Sequence, residues 1–391
     1  MKKQLPFFFL LFCLKVSAQE PQSSYDSVFR PIIPTDKAKL LKNVDVIFNM
    51  RFASDNNFYN GKFQESEFRN NQLRLEIKGK ITDKVYFRFR DRYTSTPESQ
   101  SKDNIVRSVD LAYIGIELSS KIDLYLGKLC AAWGGYEFDM NPIDVLEYND
   151  ITNNSNNFLT GVGVSNEIIE GQTVTLQVLN ARNASFSEVY EGKMPLDVEP
   201  SKVPFAYVVN WNGKFFGGKF QTLYSYSYFN EAKRRGMNYY SFGNMYKTNN
   251  VKIMYDFNYS NEGIDRKGII TSMLPDTGEL HTQQNVSYLE NWIRADIKII
   301  PKLAMSLTLM TSNAYAKNVV GPNSGKDHIR TSYGYIPMIE YMPFKNQNMR
   351  FFVAYAGRNF NYSSFAKENW NQSNFNTGRI SIGFIAPLLV L

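Results

Sequence analysis

Residues 68–94 read FRNNQLRLEIKGKITDKVYFRFRDRYT, two alternating runs joined by a tight polar turn at Thr82-Asp83. Side chains on a strand point to alternate sides, so in the second run Val85, Phe87 and Phe89 share one face while Tyr86, Arg88, Arg90 and Arg92 share the other. The first run splits the same way, with Leu73, Leu75 and Ile77 opposite Arg74, Glu76, Lys78 and Lys80. An arginine near the middle of a bilayer costs about 2 to 4 kcal/mol, so the charged face must meet water. The apolar face then meets lipid, and the pair of runs reads as a piece of a membrane barrel wall.

The pattern extends along the chain. Ile293, Ala295 and Ile297 alternate with Arg294, Asp296 and Lys298, and Phe351, Val353 and Tyr355 oppose Arg350 and Arg358. Sixteen strand-like runs of about ten residues can be placed. The first eight lie near 44–52, 68–81, 84–94, 108–118, 121–130, 158–168, 174–182 and 204–216, and the rest near 220–230, 238–247, 251–260, 286–299, 303–315, 333–344, 349–362 and 375–386. Their connections alternate in length. Long polar stretches at 53–67, 95–107, 131–157, 183–203, 231–237, 261–285, 316–334 and 363–374 follow odd runs, and tight turns such as Ser119-Ser120, Gly217-Gly218-Lys219 and Pro301-Lys302 follow even ones. A soluble sandwich has no reason to sort its loops in this way. The expected fold is therefore all-β: a closed antiparallel transmembrane β-barrel of 16 strands with short periplasmic turns and long external loops.

Composition agrees. The chain has 391 residues with 29 Phe and 25 Tyr, and its mean hydropathy of −0.35 is too polar for a bundle of membrane helices. Abundant aromatics exclude disorder, and two cysteines exclude a disulfide scaffold. Met1 to Ala18 reads as a secretory signal, with Lys2 and Lys3 before an apolar stretch and Val16-Ser17-Ala18 at its exit; Cys13 follows large residues and does not suit a lipoprotein site. Loss of Lys2, Lys3 and Lys15 lowers the formal charge from +7 to +4, which gives no reason to expect a nucleic-acid partner. Residues 19–42 read as a periplasmic lead-in and 43–391 as the barrel, in the outer membrane of a Gram-negative cell.

The expected lumen is polar and biased to positive charge, with Arg74, Lys78, Lys80, Arg88, Arg90, Arg92, Arg294, Lys298, Arg350 and Arg358 as its pore-lining basic residues. Rings of Arg and Lys attract anions, so the functional expectation is passive passage of small hydrophilic solutes or ions with weak anion preference. The competing reading is that these charges only brace the wall. The third external loop, 131–157, carries Tyr136, Glu137, Asp139, Asp144, Glu147 and Asp150 and no Lys or Arg. Folded inward, as the third loop of 16-stranded porins commonly is, it would be a constriction whose acids face the basic wall across a transverse field; otherwise it is an exposed acidic loop. The Gly134-Gly135 pair and Tyr136 favour a tight inward fold.

Asn71-Gln72-Leu73-Arg74-Leu75, Gly79-Lys80, Tyr86-Phe87-Arg88-Phe89-Arg90 and Leu126-Gly127-Lys128 together resemble the opening hairpins of the phosphate-selective porin O and P family, in a Bacteroidetes-like version. The likeness covers residues 69–128. It implies a homotrimeric outer-membrane porin surrounded by lipid, whose lumenal arginines, here Arg74, Arg88, Arg90 and Arg92, guide small anionic or polar solutes.

No enzyme is expected. GxSxG, HExxH and Walker A patterns are absent, and the two histidines, His281 and His328, stand alone in polar loops, so no catalytic residue, metal or cofactor is assigned. Cys130 reads as a small packed thiol, and Gly161-Val162-Gly163 as an aid to barrel curvature. Pro387 cannot donate to a ladder, so the last strand should stop near it. The alternative function is a surface binding or assembly module without conductance, gripping a partner with loops 183–203 and 261–285.

Overall fold

The computed structural model describes residues 44–94, 108–195, 197–275, 281–317 and 328–390. The expected signal and lead-in lie outside them, as do most of the second external loop and parts of the sixth and seventh. Sixteen strands follow in chain order: β1 (Val44–Tyr59), β2 (Lys62–Lys80), β3 (Val85–Arg92), β4 (Val109–Ser119), β5 (Ile122–Cys130), β6 (Phe158–Ile169), β7 (Gln172–Asn180) and β8 (Phe205–Phe215). The second half comprises β9 (Phe220–Ala232), β10 (Arg235–Lys247), β11 (Val251–Ile264), β12 (Gln284–Ile300), β13 (Leu303–Ala316), β14 (His328–Tyr341), β15 (Arg350–Tyr362) and β16 (Phe375–Leu389). Each pairs antiparallel with its sequence neighbours, and β16 returns to β1 from Ile47↔Leu389 to Tyr59↔Thr377, closing the barrel. Closure leaves no sheet edge to be satisfied in lipid.

The two faces sort as the alternation demands. Along β13, Met305, Leu307 and Leu309 are exposed outward, while Ser306, Thr308 and Met310 are buried inward. Exposed Ile253, Ile339, Val353 and Ile382 continue the apolar outer band.

Three expectations need correction. The first and fifth external connections are tight turns, not loops: β1 and β2 run on to meet at Asn60-Gly61, and β9 and β10 meet at Lys233-Arg234. Asn60, Gly61 and Arg234 take positive φ there, as such turns require. Residues 54–67 look like loop because they are polar. Above the hydrocarbon, however, a strand has no lipid face to keep apolar, and the ladder with β16 continues through Asn57↔Arg379. The last strand also runs past Pro387. Val390 N–H donates to Val46 O at 2.8 Å, and alternation then turns the Pro387 nitrogen away from β1, toward the side where β15 has already ended at Arg350↔Ile385. The missing N–H has no acceptor to disappoint.

The bore is not evenly open. Loop residues Trp133, Ile151, Ile270 and Trp370 pack with wall residues such as Phe229 and Tyr288 in one buried apolar cluster. Beside this dry filling a cavity remains open, lined by β2 to β6 and the third loop.

Candidate site: a guanidinium wall facing an inserted loop

Register places four arginines together. Across β2 and β3, Arg74 pairs with Arg92, Glu76 with Arg90 and Lys78 with Arg88. A register irregularity between β3 and β4, where Arg90 opposes Leu111 and Asp91 opposes Val109, brings Asp110 into the same group. Its fully buried carboxylate lies 3.2 Å from Arg74, 3.4 Å from Arg90 and 3.6 Å from Arg92. Glu76 receives Arg88 at 2.8 Å and Arg90 at 3.9 Å. Among the described residues these four guanidinium groups share two carboxylates. Arg74 and Arg90 are buried, whereas the side chains of Arg88 and Arg92 remain 38% and 35% exposed. All four line a cavity of about 1130 Å³.

The opposite side of that cavity is the third loop, which turns inward and carries short helices α1 (Tyr136–Asp139) and α2 (Asp150–Asn153). Asp256 of β11 holds its first turn, accepting from Tyr136 N–H at 2.9 Å and Glu137 N–H at 2.7 Å. Glycine is required beside this latch, because a Cβ on Gly135 would sit 2.4 Å from the Asp256 carboxyl carbon. Glu137 folds back on its own loop, accepting from Asn149 N–H at 2.6 Å and Thr152 Oγ1 at 3.0 Å. Burial, reinforced by the Asp256 charge, pushes the Glu137 carboxyl up to about 8.

The remaining acids are clamped to the far wall. Asp150 takes Arg358 at 3.0 Å and also Arg330, Asp144 takes Arg350, and Glu147 lies 3.8 Å from both Arg358 and Arg379. Loop carbonyls receive further arginines: Arg51 reaches Val145 O at 2.5 Å, Arg294 reaches Asp144 O at 3.1 Å and Arg379 reaches Leu146 O at 3.0 Å. Burial opposes ionisation of Asp150, but Arg358 and Arg330 outweigh it and hold the carboxyl below the ordinary range.

The family model of phosphate-selective porin O and P matches residues 46–385. The chain belongs to that family. Its fold is shared with solved outer-membrane proteins of low identity. The outer membrane channel DcaP of Acinetobacter baumannii is 11% identical with a TM-score of 0.58, over 90% of this chain and 98% of that one. An anion-selective porin from Comamonas acidovorans is 8% identical with a TM-score of 0.55, over 88% and 98%. The trimer form of in-vitro folded OmpT, an outer membrane protein of Vibrio cholerae, is 10% identical with a TM-score of 0.52, over 87% and 98%. Comparison with curated proteins finds no relative. Family and fold together make the chain an outer-membrane channel protein.

Not every basic residue expected in the pore of this porin reaches the cavity. Lys78 pairs with Asp45 at 3.6 Å and Lys80 with Glu117 at 3.5 Å near the periplasmic turns, where Lys298 is also exposed. Arg294, Arg350 and Arg358 are turned to the inserted loop. Among the loop acids only Asp139 lines the cavity; Tyr136, Glu137, Asp144, Glu147 and Asp150 face the far wall or their own loop. Asp139 is thus the expected constriction acid that shares the cavity with the arginine wall, beside the uncharged segment Thr152 to Asn157. Cys130 is exposed and lines the cavity, so it is not a packed thiol. Loops 183–203 and 261–285 bind each other: Thr282 N–H donates to Lys193 O at 2.7 Å, and Asp197 takes Arg235 and Gln284.

Sequence reading missed Arg51, Asp110, Asp256, Arg330 and Arg379. Arg51 and Asp256 carried a usable signal, since each is a charge alternating with outward apolar or aromatic residues. Asp110 carried none, because an irregular register decides where it points. Among the described residues no cluster of His, Cys, Asp and Glu could hold a metal ion, and His328 spends Nε2 on Thr331 Oγ1 at 2.8 Å.

Proposed function

We propose that this porin passes small hydrophilic solutes and ions passively across the outer membrane, through the wet side of its lumen, with a weak preference for anions and no chemical step. The observation that carries the reading is the gathering of four guanidinium groups on one wall of the cavity, where among the described residues they share two carboxylates. Fixed positive charge beside a water path of low dielectric surroundings raises the local anion concentration. The working assembly on this reading is a homotrimer in lipid, exported by a signal removed before Gln19.

The test is the reversal potential of purified protein in planar bilayers across a potassium chloride gradient. Wild type should show a potential of the sign set by chloride. The double variant Arg88→Glu, Arg92→Glu should move it toward potassium, because two half-buried positive charges on the cavity wall become negative. An unchanged potential removes the role given to the wall, and absence of conductance sinks the channel reading and favours the binding module.

A further inference from the structure

The proposed anion path has a second surface that a plain anion selector does not require. We propose that its preferred solutes are hydroxylated organic anions: molecules of the sugar-acid type, with a carboxylate and several hydroxyls on one small scaffold. This inference rests on the channel reading above and adds a solute class to it.

The argument starts from what each wall can and cannot do. A guanidinium group donates only; it matches the two oxygens of a carboxylate but has nothing to offer the proton of a hydroxyl. A hydroxyl needs an acceptor as well as a donor. In the same cavity as Arg88 and Arg92, the loop presents Thr152-Asn153-Asn154-Ser155-Asn156-Asn157, six residues without a charge. Asn153, Asn154 and Asn156 are exposed. An asparagine amide carries both donors and an acceptor, which is the complement of a hydroxyl. Asn154 spends one donor on Asp150 O at 2.8 Å, whereas the side chains of Asn153 and Asn156 make no hydrogen bond to protein among the described residues.

The loop reaches this composition by turning most of its acids away. Asp144, Glu147 and Asp150 are paired with far-wall arginines, so the face left in the cavity is mostly amide, with Asp139 as its one loop carboxylate. An acidic face would repel the solute that the arginines attract, and an apolar one would strip its hydroxyls of partners at a cost. Phe138 and Phe158 line the same cavity and offer apolar surface to a carbon skeleton; Phe158 already lies under the Arg90 guanidinium, 5.1 Å from ring centre to its carbon. The volume of about 1130 Å³ exceeds what an inorganic anion fills and is larger than the roughly 300–1,000 Å³ in which pockets hold small organic ligands, so a molecule of that size has room to pass.

The experiment is competition with chloride current through the purified porin in planar bilayers. Three probes are compared: glucuronate, cyclohexanecarboxylate as an acid of similar size without hydroxyls, and inorganic phosphate. Glucuronate should half-block the current at a concentration about tenfold below cyclohexanecarboxylate, the effect of one or two additional hydrogen bonds. It should also act below phosphate. In the variant Asn153→Ala, Asn156→Ala, both at exposed loop positions, the glucuronate advantage should disappear. Equal half-blocking concentrations for the two carboxylates overturn the inference, as does stronger block by phosphate or an advantage that survives the variant. The reversal potential measured on the same channels reads the arginine wall separately, so loss of chloride preference would count against the channel reading rather than against the solute class.

Discussion

At the residue scale the charge of the loop matters more through its place than through its sign. Glu137 is buried in its own loop with its carboxyl raised to about 8, so the docked loop favours the protonated form. Its contribution to docking is full below the ordinary carboxylate range and is lost as pH rises through about 8. Asp150 runs the other way: held low by its two arginines, it supports docking above the ordinary range, and that support goes only in acid. Closing events and current noise in single channels should therefore increase as pH is taken from about 6 to about 9, and the Glu137→Gln variant should respond less over the same span. Noise independent of pH in the wild type would remove Glu137 from the docking balance.

At the element scale the inserted loop is held by pairs that no local pattern announces. Asp150 meets Arg358 across 208 positions of sequence and Arg330 across 180. Alternation made the strands legible, because a two-residue period is local and every lipid-facing strand must obey it. It also made the arginine row of β3 legible, since three guanidinium groups on one face have only one tolerable direction. It could not show that Arg350 and Arg358 serve the loop rather than the water path, because inward pointing is common to both. Nor could it show where β1 and β2 end, since beyond the hydrocarbon the apolar half of the signal is gone. The clamp is testable as a unit. Removing both Arg330 and Arg358 by Ala substitution leaves the Asp150 carboxylate buried without its cations, a loss of about 3–5 kcal/mol for breaking such a pair. The loop should undock, with larger single-channel conductance and new protease cleavage within residues 131–157. Wild-type conductance and protection in that variant would show that Asp256 and the Glu137 turn suffice to hold the loop.

At the scale of the whole molecule the barrel is two parts with different physics. One part is filled: Trp133, Phe229, Tyr288 and Trp370 pack in a dry cluster that fixes the loops. The other part is open, and the arginine wall lines it, while the far wall's arginines are engaged by loop acids and loop carbonyls. This arrangement makes a distinction between selectivity by charge and selectivity by size. Fixed charge acts across a water path only within the screening length, which is about 10 Å at 0.1 M salt and about 3 Å at 1 M. If the wall selects, the chloride-to-potassium permeability ratio should be highest in dilute salt and should fall toward the free-solution ratio as both compartments are raised to about 1 M at a fixed gradient. A narrow aperture that sorts by radius has no such dependence. A ratio constant across that range would assign the preference to the shape of the gap between loop and wall, and the charge of Arg74, Arg88, Arg90 and Arg92 would then serve only to bind β2, β3 and β4 together through Glu76 and Asp110.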